Sequence, residues 1–166
     1  PAKGAHDRLV SGAPLSSGNF RQDAAPAPRY AGKRKHGGLV MLRTIGAVVA
    51  GVVVWLVCAE IFDLTLRAIW PAYLAVWKAM AFTLPMMIAR LAESTVALVI
   101  AAWVAGAVAN SARAVFWALG AVMLALFIPD HIHVWTKFPI WYHAYFLGSL
   151  LLIPLAVGTI MRGKTP

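Results

Sequence analysis

The chain has 166 residues, 61% of them apolar and 13% charged, with a mean hydropathy of +0.74. A soluble domain is typically about half apolar and a quarter charged, so this composition excludes an ordinary water-soluble fold and points to lipid as the solvent. A span needs roughly 20 mostly apolar residues, and the stretch from Leu39 onward holds about four with short connections, leaving no room within it for a soluble catalytic domain. The lone cysteine, Cys58, excludes a disulfide within the chain, and its place in an apolar run marks it as a packing residue.

The net charge of +9 could suggest nucleic acid, but its distribution argues otherwise. Seven of the fifteen Lys and Arg residues precede residue 41, and the rest fall at expected span ends. A basic segment beside a span suits a cytoplasmic position next to anionic head groups, whereas nucleic-acid binding would need aromatic residues interleaved with the charges. The predicted contact is therefore the bilayer, not nucleic acid.

Residues 1–40 are rich in Ala, Gly, Pro, Ser and basic residues without hydrophobic period, so they are expected to be a disordered basic tail. The pair Gly37-Gly38 shortly before Met41 fits a ribosome-binding site in the gene. Residues 1–40 are then either translated upstream sequence or a basic cytoplasmic arm. Residues 41–166 form one transmembrane domain.

Span one is predicted from about Leu42 to Phe62, an uncleaved anchor. Its Gly46, Ala47, Ala50 and Gly51 have the small-residue spacing that lets another helix approach, within the bundle or in a homo-oligomer. Glu60, Asp63 and Arg67 follow on one side, with Asp63 and Arg67 spaced to pair. Trp70-Pro71 breaks the helix, because the residue before proline is pushed out of the helical region. Residues 72–82 are too short to cross and carry Tyr73, Trp77 and Lys78, as expected of an interfacial or re-entrant helix with aromatic anchors.

Span two is predicted from Pro85 to about Asn110. It contains Arg90 and Glu93, which read either as a functional intramembrane pair or as an ion pair near the head groups. Span three is predicted from about Ala114 to Ile128, ending at Pro129. Span four follows from about Ile140 to Met161, with Pro154 inside it. Arg43, Arg113, Arg162 and Lys164 fall on one side, and Arg67, Lys78 and Lys137 on the other. This bias predicts cytoplasmic termini.

With that orientation Glu60, Asp63, Glu93 and Asp130 all lie toward the outer face, as do His131, His133 and His143. Two readings of the segment between spans three and four stay open. Asp130, His131, His133 and His143 could hold zinc or a similar divalent metal, either for binding or for a metal-dependent reaction. That requires the His-x-His pair to be extended, since residues i and i+2 of a helix point apart. Pro129 and Pro139 favour an extended or turn geometry there. The other reading is an aromatic belt at head-group depth, formed by Trp135, Phe138, Trp141, Tyr142, His143 and Tyr145, or a polar pocket for a lipid or small ligand. No phosphate-binding glycine loop or nucleophile elbow occurs. Spans one to three contain no histidine for a haem.

The runs MLRTIGAVVAGVVVW at Met41–Trp55 and FPIWYHAYFLGSLLLIPL at Phe138–Leu155 resemble small four-span inner-membrane proteins of proteobacteria. The resemblance covers the chain from Met41 onward and implies the fold and a bacterial inner-membrane location. It carries no activity and no site. The expected protein is thus an all-α bundle of four transmembrane helices with one short interfacial helix. Its expected role is structural or accessory, with an outer face that contacts lipid, a membrane-protein partner or a second copy, and the metal site is the alternative.

Overall fold

The computed structural model describes residues 33–110 and 112–163, with side chains from Gly38 onward. Most of the expected tail, the start-site question and Lys164 lie outside the described residues. Five helices follow in order: α1 Lys33–Ile69, α2 Pro71–Trp77, α3 Leu84–Val108, α4 Arg113–His133 and α5 Ile140–Arg162. Among the described residues there is no strand, and α1, α3, α4 and α5 are each long and apolar enough to cross a membrane. The fold is the expected four-span bundle with one short extra helix.

Four boundaries differ from expectation: α2 ends at Trp77 rather than Phe82, and the other three differ for local reasons. α1 has 37 residues, about 55 Å at 1.5 Å per residue, so it outruns a hydrocarbon core of roughly 30 Å at both ends. It includes residues 33–40, which the sequence placed in the tail. The helix also carries Glu60, Asp63 and Arg67 on its final turns, beyond the expected end of the span. α4 does not stop at Pro129 but runs four residues further, with the proline inside it. A proline removes one backbone donor, which breaks a helix in water but is tolerated in a packed membrane bundle. The third span therefore does contain histidines, His131 and His133.

Where the sequence placed a break, the backbone agrees. Trp70 sits at φ −124° and ψ 88°, outside the helical region, and Pro71 opens α2. Thr83 is extended ahead of α3, which carries a proline in its first turn, where its missing N–H costs nothing. Asn110 closes α3 in the left-handed region at φ 52°. Arg43 Nε donates to the carbonyl of Val108 at 2.6 Å, and its Nη2 to Asn110 Oδ1 at 2.9 Å. One side chain of α1 thereby satisfies a carbonyl that the end of α3 would leave open.

α1 and α5 each pack against both α3 and α4, and α2 folds back on α1. The small residues set how closely the helices meet. A Cβ on Gly51 would stand 3.1 Å from Ala105 Cβ and Leu119 Cδ1, and Ala47 is fully buried nearby in sequence. That half of the small-residue stripe serves packing within the bundle, while Gly46 faces open space. Ala97, Ala101, Ala102 and Ala105 line the buried side of α3. The ring of Phe116 lodges between Gly106 and Gly158, where an added Cβ would lie 2.8 and 2.6 Å from it. Large apolar residues such as Val53, Val57, Ile61, Ile88 and Leu152 remain on the outside, as a lipid-facing surface requires.

Because Phe116 has no second place to go, Gly158→Ala should destabilise the bundle by about 1–3 kcal/mol through overpacking. Gly148→Ala, where nothing lies within 4 Å of the added carbon, should be neutral within about 0.5 kcal/mol. Reversible unfolding in mixed micelles, following helicity, checks both. Equal effects at the two positions would contradict this packing.

Candidate functional site

At the end formed by the α1–α2, α2–α3 and α4–α5 connections, Arg67 and Arg90 converge on Asp63. Its Oδ2 lies 2.6 Å from Arg67 Nη2, one turn along α1. Its Oδ1 accepts from Tyr73 Oη at 2.7 Å and lies 3.2 Å from Arg90 Nη1. Arg90 Nη1 also donates to Tyr73 Oη. Arg67 reaches Glu60 Oε1 at 3.2 Å. Each guanidinium lies over an aromatic face, Arg67 at 4.4 Å from the Trp77 centroid and Arg90 at 4.9 Å from that of Phe82.

Three helices and the turn after α2 are tied together by this network. The i, i+4 pair of Asp63 and Arg67 was legible in the sequence, but the role of Tyr73 was not. Expected as an interfacial anchor, Tyr73 is fully buried. Its phenol is held well above the ordinary value, first because burial disfavours the phenolate and then because Asp63 accepts its proton in a hydrogen bond. The phenol is thus a fixed donor.

The expected Arg90–Glu93 pair does not form. Arg90 turns to Asp63 and Tyr73, and Glu93 Oε2 is buried without a hydrogen-bond partner. The reason is competition: Asp63 offers Arg90 a carboxylate and a bound phenol together, on the helix that packs against α3.

The histidines divide as helical geometry demands. Because α4 stays helical through His133, His131 is buried and His133 exposed. The extended His-x-His geometry expected from the flanking prolines is therefore not adopted. His143, buried on α5, meets His131 with its Nδ1 2.7 Å from the Nδ1 of its partner. His143 Nε2 lies 3.3 Å from the carbonyl oxygen of Trp135, and its ring stacks on the Trp135 indole at 4.6 Å.

A carbonyl only accepts, so His143 Nε2 carries a hydrogen. With both rings neutral, His143 Nδ1 is then bare and accepts from the Nδ1–H of His131. His131 Nε2 is left as an acceptor without a hydrogen. Nδ1 of each ring is committed to the other in this hydrogen bond. Among the described residues, no group of three or more His, Cys, Asp or Glu is placed to hold a metal. Of the four expected ligands, then, the structure joins His131 and His143, turns His133 away and leaves Asp130 exposed beside His131.

The expected aromatic belt also splits. Trp135, Trp141 and Tyr145 are exposed, while Tyr142 and His143 are buried and Phe138 is half-buried, stacked on Tyr142 at 4.6 Å. Phe138 and Tyr142 border a cavity of about 610 Å³, within the range of roughly 300–1,000 Å³ usual for small-molecule sites. Trp55, Phe127 and Phe146, in mutual edge contact, form its apolar end. Asp63 stands roughly two turns further along α1 than Trp55, and with Glu60, Lys78 and Asp130 it forms the charged end. Arg90, Glu93, Ser94 and His131 line the wall between.

Four buried side-chain atoms among the described residues have no hydrogen-bond partner: Trp55 Nε1, Arg90 Nε, Glu93 Oε2 and Ser94 Oγ. Every one of them belongs to a residue lining this cavity. Buried polar groups are nearly always paired, so their concentration around one cavity marks it as the candidate site. No family model, curated protein or solved structure matches this chain.

Two outcomes follow. Replacing Asp63 by Ala strands Arg90 and the Tyr73 phenol, and should cost about 2–3 kcal/mol, between the values for exposed and buried pairs. Glu60, whose side chain is 66% exposed, should cost less than about 1 kcal/mol on the same change. In ¹⁵N NMR of histidine-labelled protein, His131 should be the Nδ1–H tautomer and His143 the Nε2–H tautomer. The reverse assignment would break the proposed direction of the relay.

Proposed function

We propose that this protein is a bacterial inner-membrane accessory protein that holds an amphiphile in the cavity at its outer end. The observation that carries this reading is the cavity itself, whose walls gather the four unpartnered polar atoms. Its polarity is graded along the bundle axis, charged at the end of α1 and aromatic toward the middle. A lipid lying in its own leaflet has the same gradient, head group toward water and carbon chain toward the bilayer centre.

The placement of Arg43 and Arg113 at the opposite end, with Arg162 closing α5 there, supports that end as cytoplasmic and the cavity as outward-facing. Binding, rather than catalysis, is supported by the chemistry of the walls. Ser94 Oγ has no partner and so no base to activate it, while Thr95 Oγ1 is engaged with Tyr145 Oη at 3.1 Å. The basic residue at the mouth, Lys78, and the acidic ones beside it would meet head groups at the membrane surface.

Filling the cavity tests this reading. Ala59 lines it from α1, and Leu56 lines it from the neighbouring turn. Native mass spectrometry of protein extracted in mild detergent should show a retained amphiphile, lost in Ala59→Trp and in Leu56→Trp while helicity and monodispersity persist. Wild-type protein that carries no adduct even when released from native-membrane nanodiscs would sink the idea, as would folded variants that keep it.

A further inference from the structure

We propose that the ligand of this cavity presents a primary ammonium group, accepted by Glu93 and by His131 Nε2. The inference rests on the cavity reading above and names the chemistry of what the cavity takes. Four acidic side chains line the cavity against two basic ones, Lys78 and Arg90. Glu60 and Asp63 already hold Arg67 and Arg90. Glu93 is the half-buried member of the remaining acids; its Oε2 is enclosed without a donor, and its Oε1, which has no hydrogen-bond partner either, is not enclosed and is left to meet the ligand. An ionised carboxylate inside an apolar bundle is costly unless a cation meets it, and Arg90 one turn away is committed elsewhere.

His131 supplies the second acceptor. The chain from the Trp135 carbonyl through His143 leaves His131 Nε2 with a lone pair and no hydrogen. That nitrogen has no hydrogen-bond partner in the protein, yet it is not among the enclosed unpartnered atoms, and His131 is one of the residues that line the cavity. Two acceptors require a ligand with at least two N–H or O–H donors. A primary ammonium satisfies both demands, since it is positive and carries three donors. A quaternary ammonium has the charge but no donor, and a glycerol head group has donors but no positive charge. His143 acts here as a positioning residue, because it holds the tautomer of His131 and does not itself border the cavity.

The same ammonium could come from an aminophospholipid head group or from a free alkyl amine. The experiment uses the full chain in nanodiscs of phosphatidylcholine doped equally with phosphatidylethanolamine and phosphatidylglycerol, followed by native mass spectrometry of the retained lipid. Phosphatidylethanolamine should be enriched roughly tenfold over the other two, the equivalent of one charge-assisted hydrogen-bond set. Glu93→Gln and His131→Phe should each remove most of that enrichment, the second while keeping the ring contact with Phe146. Octylamine that displaces the bound lipid would assign recognition to the ammonium itself, and octylamine that fails to displace it would assign it to the aminophospholipid; both outcomes uphold the proposal. Lipid retained without preference among the three head groups would overturn the ammonium assignment and leave the amphiphile reading standing. No retained lipid and no octylamine binding would overturn both. The selectivity of the unaltered protein decides the matter even if a variant fails to fold.

Discussion

The charge network at the cavity end depends on how one carboxylate, Asp63, is satisfied. Water cannot be relied on to solvate charges inside a membrane bundle, so each must find its partners in the protein. Asp63 takes Arg67 from its own helix, Arg90 from α3 and the phenol of Tyr73 from α2. Those contacts fix the angle at which α2 folds back and hold the following turn against α3. Met80, in that turn, adopts a left-handed backbone at φ 54° and borders the cavity. A non-glycine residue in that region is uncommon, and here it accompanies the reversal that closes the cavity wall.

The consequence of that commitment is a set of polar groups left over. Arg90 makes its ion pair with Asp63, which leaves Glu93 a turn away without an ion-pair partner. His143 has one bare nitrogen and gives it to His131, which leaves His131 with a lone pair that nothing in the protein uses. The buried donors Trp55 Nε1 and Arg90 Nε lie on the same walls. A bundle built only for packing would close such a space with side chains, as it does around Phe116 between Gly106 and Gly158. The two ends of the molecule thus obey different rules. Among the described residues every enclosed unpartnered polar atom belongs to the cavity near Asp63, while Arg43 is paired with Val108 and Asn110.

Much of the fold was legible because hydrocarbon thickness and backbone hydrogen bonding constrain a membrane chain severely. The run from Leu42, the break at Trp70-Pro71, the restart at Pro85 and the span from Ile140 are all written in apolar length and proline position. The Asp63–Arg67 pair was equally plain from i, i+4 spacing. What failed was local propensity where tertiary packing overrides it. Pro129 reads as a stop, yet α4 continues past it, and the continuation alone separates His133 from His131. Tyr73 reads as an interfacial ring, yet it is the buried donor to Asp63.

The sequence by itself determined the solvent, the number of spans, the small-residue face of α1 and the gathering of acids and histidines toward one end. Those properties depend on composition and on spacing along a single helix, which do not need a partner to be read. Only the tertiary structure decided who meets whom: Arg90 with Asp63 rather than Glu93, His131 with His143 rather than His133, and the inward turn of half the aromatic residues. Such choices are made by competition between helices, because a charge or an imidazole in a bundle takes the best partner that packing brings near. Neighbours in sequence are merely candidates.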